Sequence, residues 1–125
     1  MHVPILKQES CLIASIQGAL TDDELLMLRD QLVAQIKLFR SRGVLIDLTV
    51  VDVLDSFAAR TLRSIAQMSK LLGAQTVIAG IQPDVAISMV QLGLTLDNAI
   101  IAMDLEDGLA ILQAHGLNRH DLDVS

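Results

Sequence analysis

The feature that most limits the fold of this chain is an alternation of short apolar runs with longer segments of helical periodicity. Residues 44–48 and 76–79 form apolar runs that are typical of strands buried inside a sheet. Two short strands open the chain, helix–strand units follow three times, and a helix ends it. This order predicts an α/β domain with parallel neighbouring strands and right-handed crossovers. Because the opening strands can form a hairpin, we expect a mixed sheet of about four to five strands packed with about four helices.

Local signals predict where the helices begin and end. Thr21 is a small polar residue followed by acids, which is typical of a helix start, and apolar residues recur at helical spacing to about Arg40. A second helix is predicted over residues 56–72, and a third begins at Pro83. The last helix is predicted to open at Asp104 and to end near Gly116. We therefore assign residues 1–117 to one domain and residues 118–125 to a polar tail.

Composition restricts the setting and the partners of this domain. Hydrophobic residues make up 52% of the chain, yet Phe39 and Phe57 are the only aromatic residues, so the core must be aliphatic. No apolar run approaches the roughly 18 residues of a membrane span, and no signal peptide opens the chain. Cys11 is the single cysteine and is expected to be a buried small hydrophobe, which favours a cytosolic protein. The net charge of −6 argues against nucleic acid and anionic membranes and favours another protein as partner.

Residues that could carry catalysis or hold a metal are few. His2, His115 and His120 lie near the two ends of the chain and lack the spacing of a metal site. The sequence contains no glycine-rich segment that could cradle a phosphate, and single glycines such as Gly80 are explained as turn residues. We therefore expect no cofactor, no metal site and no enzymatic activity.

Asp47, Asp52 and Asp55 form an acidic cluster after the third predicted strand. Cation binding by these carboxylates is conceivable, but loop solvation and helix capping account for them. Asp47 also stands at the end of a central strand, where receiver domains take a phosphoryl group. Receiver domains need a lysine after a later strand, and the segment that starts at Gly80 has none. The receiver interpretation is therefore not favoured.

Ser56 stands at the predicted start of the second helix, where four backbone N–H groups lack intrahelical partners. Its hydroxyl, or the competing carboxylate of Asp55, can cap that helix. A phosphate on Ser56 would lie beside the positive end of the helix dipole, opposed by Asp52 and Asp55. We expect such a phosphate to face outward and to change a binding surface. Ser88, on a polar line of the third predicted helix, is a second candidate.

The run from Gly43 to Phe57, GVLIDLTVVDVLDSF, resembles the hallmark of the STAS domains, in which a strand leads to an Asp-Ser pair that opens the next helix. Five further segments are similar, in the same order, to the RsbS branch of that family, the small scaffold subunit of the bacterial stressosome. These segments are PILK from Pro4, SIQ from Ser15, SKLLGA from Ser69, GIQP from Gly80 and LG from Leu92. The resemblance covers about residues 3–115 and implies a single STAS-like α/β domain.

The resemblance implies that Ser56 is the phosphoacceptor of an RsbT-type serine kinase. The unphosphorylated scaffold is then expected to hold the kinase, and the phosphorylated scaffold to release it. The partner-binding surface is expected at Asp52, Asp55, Ser56, Phe57 and Arg60. Ser88 falls where the RsbR-type paralogues carry a second phosphorylated threonine, a role that transfers to this chain only weakly.

The same resemblance implies partners for assembly. RsbR-type paralogues bear an N-terminal sensor domain, whereas the first predicted strand here begins at about Val3, so we expect this chain to be the sensorless partner. It is expected to form a homodimer and a large hetero-oligomer. Two alternatives stay open. One is a stand-alone anti-anti-sigma factor that binds an anti-sigma kinase, and the other is an anion- or nucleotide-binding module that uses the helix starts at Ser56 and Pro83.

Overall fold

Five strands form one mixed sheet in the computed structural model, which describes the backbone of residues 3–124 and the side chains of residues 3–115. The strands lie side by side in chain order; the first pair is antiparallel and the later pairs are parallel. The predicted mixed sheet with an opening hairpin is therefore confirmed. The strands are β1 (Ile5–Gln8), β2 (Cys11–Ser15), β3 (Gly43–Asp47), β4 (Gln75–Ala79) and β5 (Ala99–Ala102).

The helices cover both faces of this sheet, which explains why the central strands are largely apolar. They are α1 (Asp22–Phe39), α2 (Ser56–Leu71), α3 (Pro83–Gln91) and α4 (Leu105–Val124). On one face, Val44 and Ile46 of β3 belong to a core cluster with the apolar residues of α1 and α2. On the other face, Leu45 belongs to a second cluster with Leu112 of α4. Alternate residues of β3 thus enter different cores, and all three side chains are fully buried.

Helix α4 lies close against the sheet because a glycine faces it. A Cβ atom added at Gly108 would lie 2.6 Å from Leu45 Cδ1, a distance that real Cβ atoms do not adopt. The absence of a side chain at position 108 therefore leaves room for the Leu45 side chain between α4 and the sheet.

Helix α1 begins with the capping arrangement that its sequence predicts. The Thr21 Oγ1 accepts a hydrogen bond from the Glu24 N–H (3.1 Å), and the Glu24 Oε1 accepts one from the Thr21 N–H (2.9 Å). Asp22 and Asp23 add negative charge to the first turn, where the helix dipole favours it. The predicted start of this helix is confirmed.

The prediction that the last helix ends near Gly116 is wrong, because α4 continues to Val124. A glycine inside a helix costs about 0.5–1 kcal/mol relative to alanine but keeps both of its backbone hydrogen-bonding groups, so it does not by itself end a helix. The side chain of His120 and the whole of His2 lie outside the described residues. The assignment of residues 118–125 to a separate tail stays a prediction.

Cys11 is half-buried and packs against the second core cluster, at the first position of β2. Burial raises the pKa of the Cys11 thiol and outweighs the opposing hydrogen bond from Ser10. A protonated, partly enclosed thiol fits the predicted structural role. In the described part of the chain, no helix combines the length and the apolar character needed to cross a membrane.

Candidate functional site

The loop of residues 48–55 follows β3 and leads to the start of α2, at the carboxyl edge of the parallel strands. Asp47 fixes its first turn, because the Asp47 Oδ1 accepts hydrogen bonds from the Thr49 N–H (3.0 Å) and the Thr49 hydroxyl (2.5 Å). The Gln82 side-chain amide then donates to the Thr49 carbonyl (2.8 Å) and ties the loop to the start of α3. Asp47 thus has a structural task in the loop, which accounts for this acid without a phosphoryl-transfer role.

Gly80 lets β4 approach the same turn. Its backbone has a φ of 75°, a conformation that side-chain-bearing residues rarely adopt, and an added Cβ would lie 3.1 Å from the Thr49 Cα. The strand end and the loop are therefore in direct contact, and the position of the loop depends on this glycine.

Two apolar side chains anchor the middle of the loop in the core, and two others are exposed to solvent. Val51 is buried, and its N–H donates to the Leu48 carbonyl (2.9 Å), while Leu54 packs against the first core cluster. Val50 and Val53 are exposed, Val53 to 69% of its full area. A loop held from inside that presents apolar side chains to solvent is a surface suited to contact with another protein.

A small pocket lies between this loop and residues 16–20, with a volume of about 80 Å³. Its lining is almost entirely apolar, and Asp55 is the single charged residue on its wall. Pockets that hold small molecules usually measure about 300–1,000 Å³. The pocket beside the loop is therefore too small for a nucleotide.

Helix α2 is capped by Asp55 and not by Ser56. Asp55 has an extended backbone, and its Oδ1 accepts a hydrogen bond from the Ala58 N–H (2.8 Å). Ser56 is the first helical residue, one position too late for its hydroxyl to take the capping role. The expectation that the Ser56 hydroxyl could cap α2 is thus wrong, and the competing cap that the sequence offered is the one observed.

The Ser56 side chain has no structural task in this arrangement. It is half-buried, and among the residues that the structure describes its hydroxyl makes no hydrogen bond. It sits beside the N-terminal end of α2, where unpaired N–H groups favour negative charge. A hydroxyl that the fold does not use is available for modification without loss of an internal bond.

The other residues predicted for the partner-binding surface surround Ser56. Asp52, Asp55 and Arg60 are exposed, and Phe57 is half-buried. Arg60 follows Ser56 by one helical turn, so the two Cβ atoms lie about 5–6 Å apart on the same face of α2. The surface therefore has acidic residues on the loop side of Ser56 and a cation on the helix side.

Ser88 stands apart from this group, in α3. It is half-buried, and its hydroxyl donates to the Asp84 carbonyl one turn earlier (3.0 Å). This bond satisfies the hydroxyl within its own helix. The structure thus gives the two candidate serines different environments, with a free hydroxyl at Ser56 and a bonded one at Ser88.

The predicted acidic cluster does not form a cation site in the described residues, where no three His, Cys, Asp or Glu side chains are grouped to hold a metal. The Asp47 carboxylate accepts hydrogen bonds from Thr49 of the loop, and the Asp55 carboxylate accepts one from the Ala58 N–H of α2. Of the three histidines in the sequence, His115 is the one whose side chain the structure describes, and it is half-buried in α4.

A groove between α1 and α2 opens next to Phe57 and has a volume of about 310 Å³. Arg29, Arg60 and Arg63 line it. Of these three, only Arg60 was among the site residues predicted from the sequence. Arg63 could have been found from its helical spacing to Ser56, whereas Arg29 comes from another helix and has no local signal.

Comparison with known proteins agrees with this architecture. The family model described as STAS domain matches residues 2–108. RsbRA, an RsbT co-antagonist protein from Bacillus subtilis, is 29% identical over 101 residues, which are 81% of this chain and 37% of RsbRA. The chain thus spans little more than a third of that relative's length.

Solved structures give the same result. A variant of RsbS from Moorella thermoacetica is 31% identical, with a TM-score of 0.81 over 93% of this chain and 98% of that one. A chain in a structure of the stressosome, described as a signal integration and transduction hub, is 30% identical, with a TM-score of 0.75 over 90% and 98% of the two chains. The predicted resemblance to RsbS is confirmed, and the chain belongs to the STAS domain family.

Proposed function

We propose that this chain is a non-enzymatic, cytoplasmic scaffold of the stressosome type that holds an RsbT-type serine kinase and releases it when Ser56 is phosphorylated. The observation that carries the proposal is the free hydroxyl of Ser56 at the first position of α2. The likeness to RsbS and to RsbRA, a co-antagonist of RsbT, supports the choice of kinase.

The chemistry of the switch is a single phosphoryl transfer. The kinase forms a bond between the γ-phosphorus of ATP and the Ser56 Oγ, while the bond to ADP breaks and the hydroxyl proton passes to a base of the kinase. The product carries about 1.5–2 negative charges where Ser56 had none. Because Asp55 and not Ser56 caps α2, the transfer removes no hydrogen bond of the helix. The modification therefore changes the surface charge and leaves the fold intact.

The proposal includes assembly with RsbR-type paralogues, in addition to a homodimer. Large apolar side chains are exposed along α3 and just after β5; Val90 retains 79% and Met103 85% of their full areas. Exposed apolar patches are typical of protein interfaces. The likeness to a chain of the stressosome supports a large hetero-oligomer.

Phosphorylation can be tested directly with the purified chain. Incubation with an RsbT-type kinase and ATP, followed by mass spectrometry, should place one phosphate on Ser56. Ser88→Ala should be phosphorylated as the wild type is, and Ser56→Ala should stay unmodified. A phosphate on another residue, or none at all, would contradict the proposal.

Assembly distinguishes this scaffold from a stand-alone anti-anti-sigma factor. Light scattering of a mixture with an RsbR-type paralogue should detect a particle far larger than a dimer. A mixture that contains only monomers and dimers would favour the stand-alone factor.

A further inference from the structure

The groove between α1 and α2 concentrates positive charge on an acidic protein. The chain has 15 acidic and 9 basic residues and a net charge of −6. Three of those nine cations, Arg29, Arg60 and Arg63, nevertheless line one groove of about 310 Å³. We call these three side chains and the space between them the arginine groove.

The arginines are only partly neutralised by the protein itself. Arg29 forms an ion pair with its neighbour Asp30 (2.9 Å), on the α1 side of the groove. Within the described part of the chain, Arg60 and Arg63 have no ion-pair partner, although acidic residues outnumber basic ones. Two guanidinium groups on adjacent turns, each without an ion-pair partner, can donate hydrogen bonds to carboxylates in bidentate geometry.

The groove also offers apolar surface. Leu26 of α1 and Phe57 of α2 line it together with the arginines, Thr61 and Ser64, and both apolar side chains are half-buried. Guanidinium groups beside apolar side chains suit a protein segment that carries acidic and apolar residues. The overall negative charge of the domain would repel an extended polyanion such as nucleic acid. The two observations together favour an acidic segment of a protein as the occupant.

We propose that the arginine groove binds an acidic segment of the partner protein and that phosphate on Ser56 competes with this segment for Arg60. Ser56, Arg60 and Arg63 lie at positions i, i+4 and i+7 of α2 and therefore on one face of the helix. A phosphate on Ser56 pairs with Arg60 and repels the carboxylates of the segment. This step rests on the proposed function and supplies the physical reason for release of the kinase.

The kinase experiment uses the full chain and measures its affinity for the RsbT-type kinase by calorimetry. Arg60→Gln and Arg63→Gln should each weaken binding about tenfold and reduce its sensitivity to salt. Lys70→Gln is the matched control, because Lys70 is a cation on the same face of α2, seven residues after Arg63, but does not line the groove. The affinity of Lys70→Gln for the kinase should lie within about twofold of that of the wild type. Equal affinity for the two arginine variants and the wild type would overturn the inference.

A second experiment tests the groove without the kinase, so that failure of the proposed function can be told apart. A fluorescent hexapeptide of alternating glutamate and leucine should bind the wild type, and the double variant Arg60→Gln/Arg63→Gln should bind it at least about fivefold more weakly. If the peptide binds in this way but no kinase does, the groove stands and the proposed function fails. If the kinase binds but neither kinase nor peptide responds to the arginine variants, the groove inference fails alone.

The same assay decides between occupants. A 20-base-pair DNA duplex should not bind at 150 mM salt, because the domain carries a net negative charge. Binding of the duplex that is lost in the double variant would make the groove a nucleic-acid site and overturn the choice of an acidic protein segment. Circular dichroism of each variant checks that it is folded.

Discussion

Replacement of Asp55 with alanine separates the residue that caps α2 from the residue that is modified. The substitution removes the hydrogen bond between the Asp55 Oδ1 and the Ala58 N–H (2.8 Å) and leaves that amide without an intrahelical partner. Loss of an N-cap side chain costs about 0.5–2 kcal/mol, with about 1 kcal/mol typical. Because Asp55 is exposed and water can replace the lost acceptor, we expect about 1 kcal/mol of destabilisation.

Ser56→Ala should leave the free energy of unfolding within about 0.5 kcal/mol of the wild type. The Ser56 hydroxyl makes no hydrogen bond among the described residues, and alanine is the better helix former. Asp55→Asn should retain most of the stability, because asparagine caps helices about as well as aspartate. Thr21→Ala provides a calibration, since Thr21 caps α1 in the same manner.

Urea denaturation followed by far-ultraviolet circular dichroism measures these differences; the chain has no Trp or Tyr for fluorescence. A loss of about 1 kcal/mol in a domain of this size lowers the melting temperature by about 3–5 °C. Equal losses for Asp55→Ala and Ser56→Ala would refute the reasoning, because they would mean that the serine hydroxyl supports the helix. In that case phosphorylation of Ser56 would also perturb the fold.

Four further outcomes are expected. Gly80→Ala should destabilise the domain by about 2 kcal/mol or more in urea denaturation, because it combines a positive φ with a collision at Thr49. Iodoacetamide should modify the Cys11 thiol more slowly in the folded chain than in the unfolded one at the same pH, because burial raises its pKa. In a pull-down, Ser56→Ala should retain the RsbT-type kinase, and Ser56→Asp should bind it more weakly. Binding that is unchanged in both variants would contradict the proposed release by phosphorylation. In phosphorus NMR titrations, Arg60→Gln should raise the pKa of phosphorylated Ser56, because the arginine favours the dianion.

The order of the helices and strands, and most of the positions where they begin and end, could be predicted from the amino-acid sequence. Apolar runs such as residues 44–48 are buried on both faces because helices cover both faces of the sheet. A strand of this kind can be predicted because its apolar residues follow one another without the polar alternation of a strand that has one face in solvent. The start of α1 was also predictable, because its cap and its acids lie within four residues of one another. The start of α2 was predictable for a similar reason, since the Asp55-Ser56 pair places two capping side chains next to each other at the end of a loop.

The tertiary structure decided what depends on the path of the chain between elements. Asp55 caps α2 because the loop anchored by Val51 delivers it with an extended backbone, whereas the sequence offered both Asp55 and Ser56 as candidate caps. Helix α4 passes Gly116 because glycine weakens a helix without ending it. The arginine groove exists because α1 and α2 pack side by side on one face of the sheet. Such contacts join residues far apart in sequence, and local propensity carries no information about them.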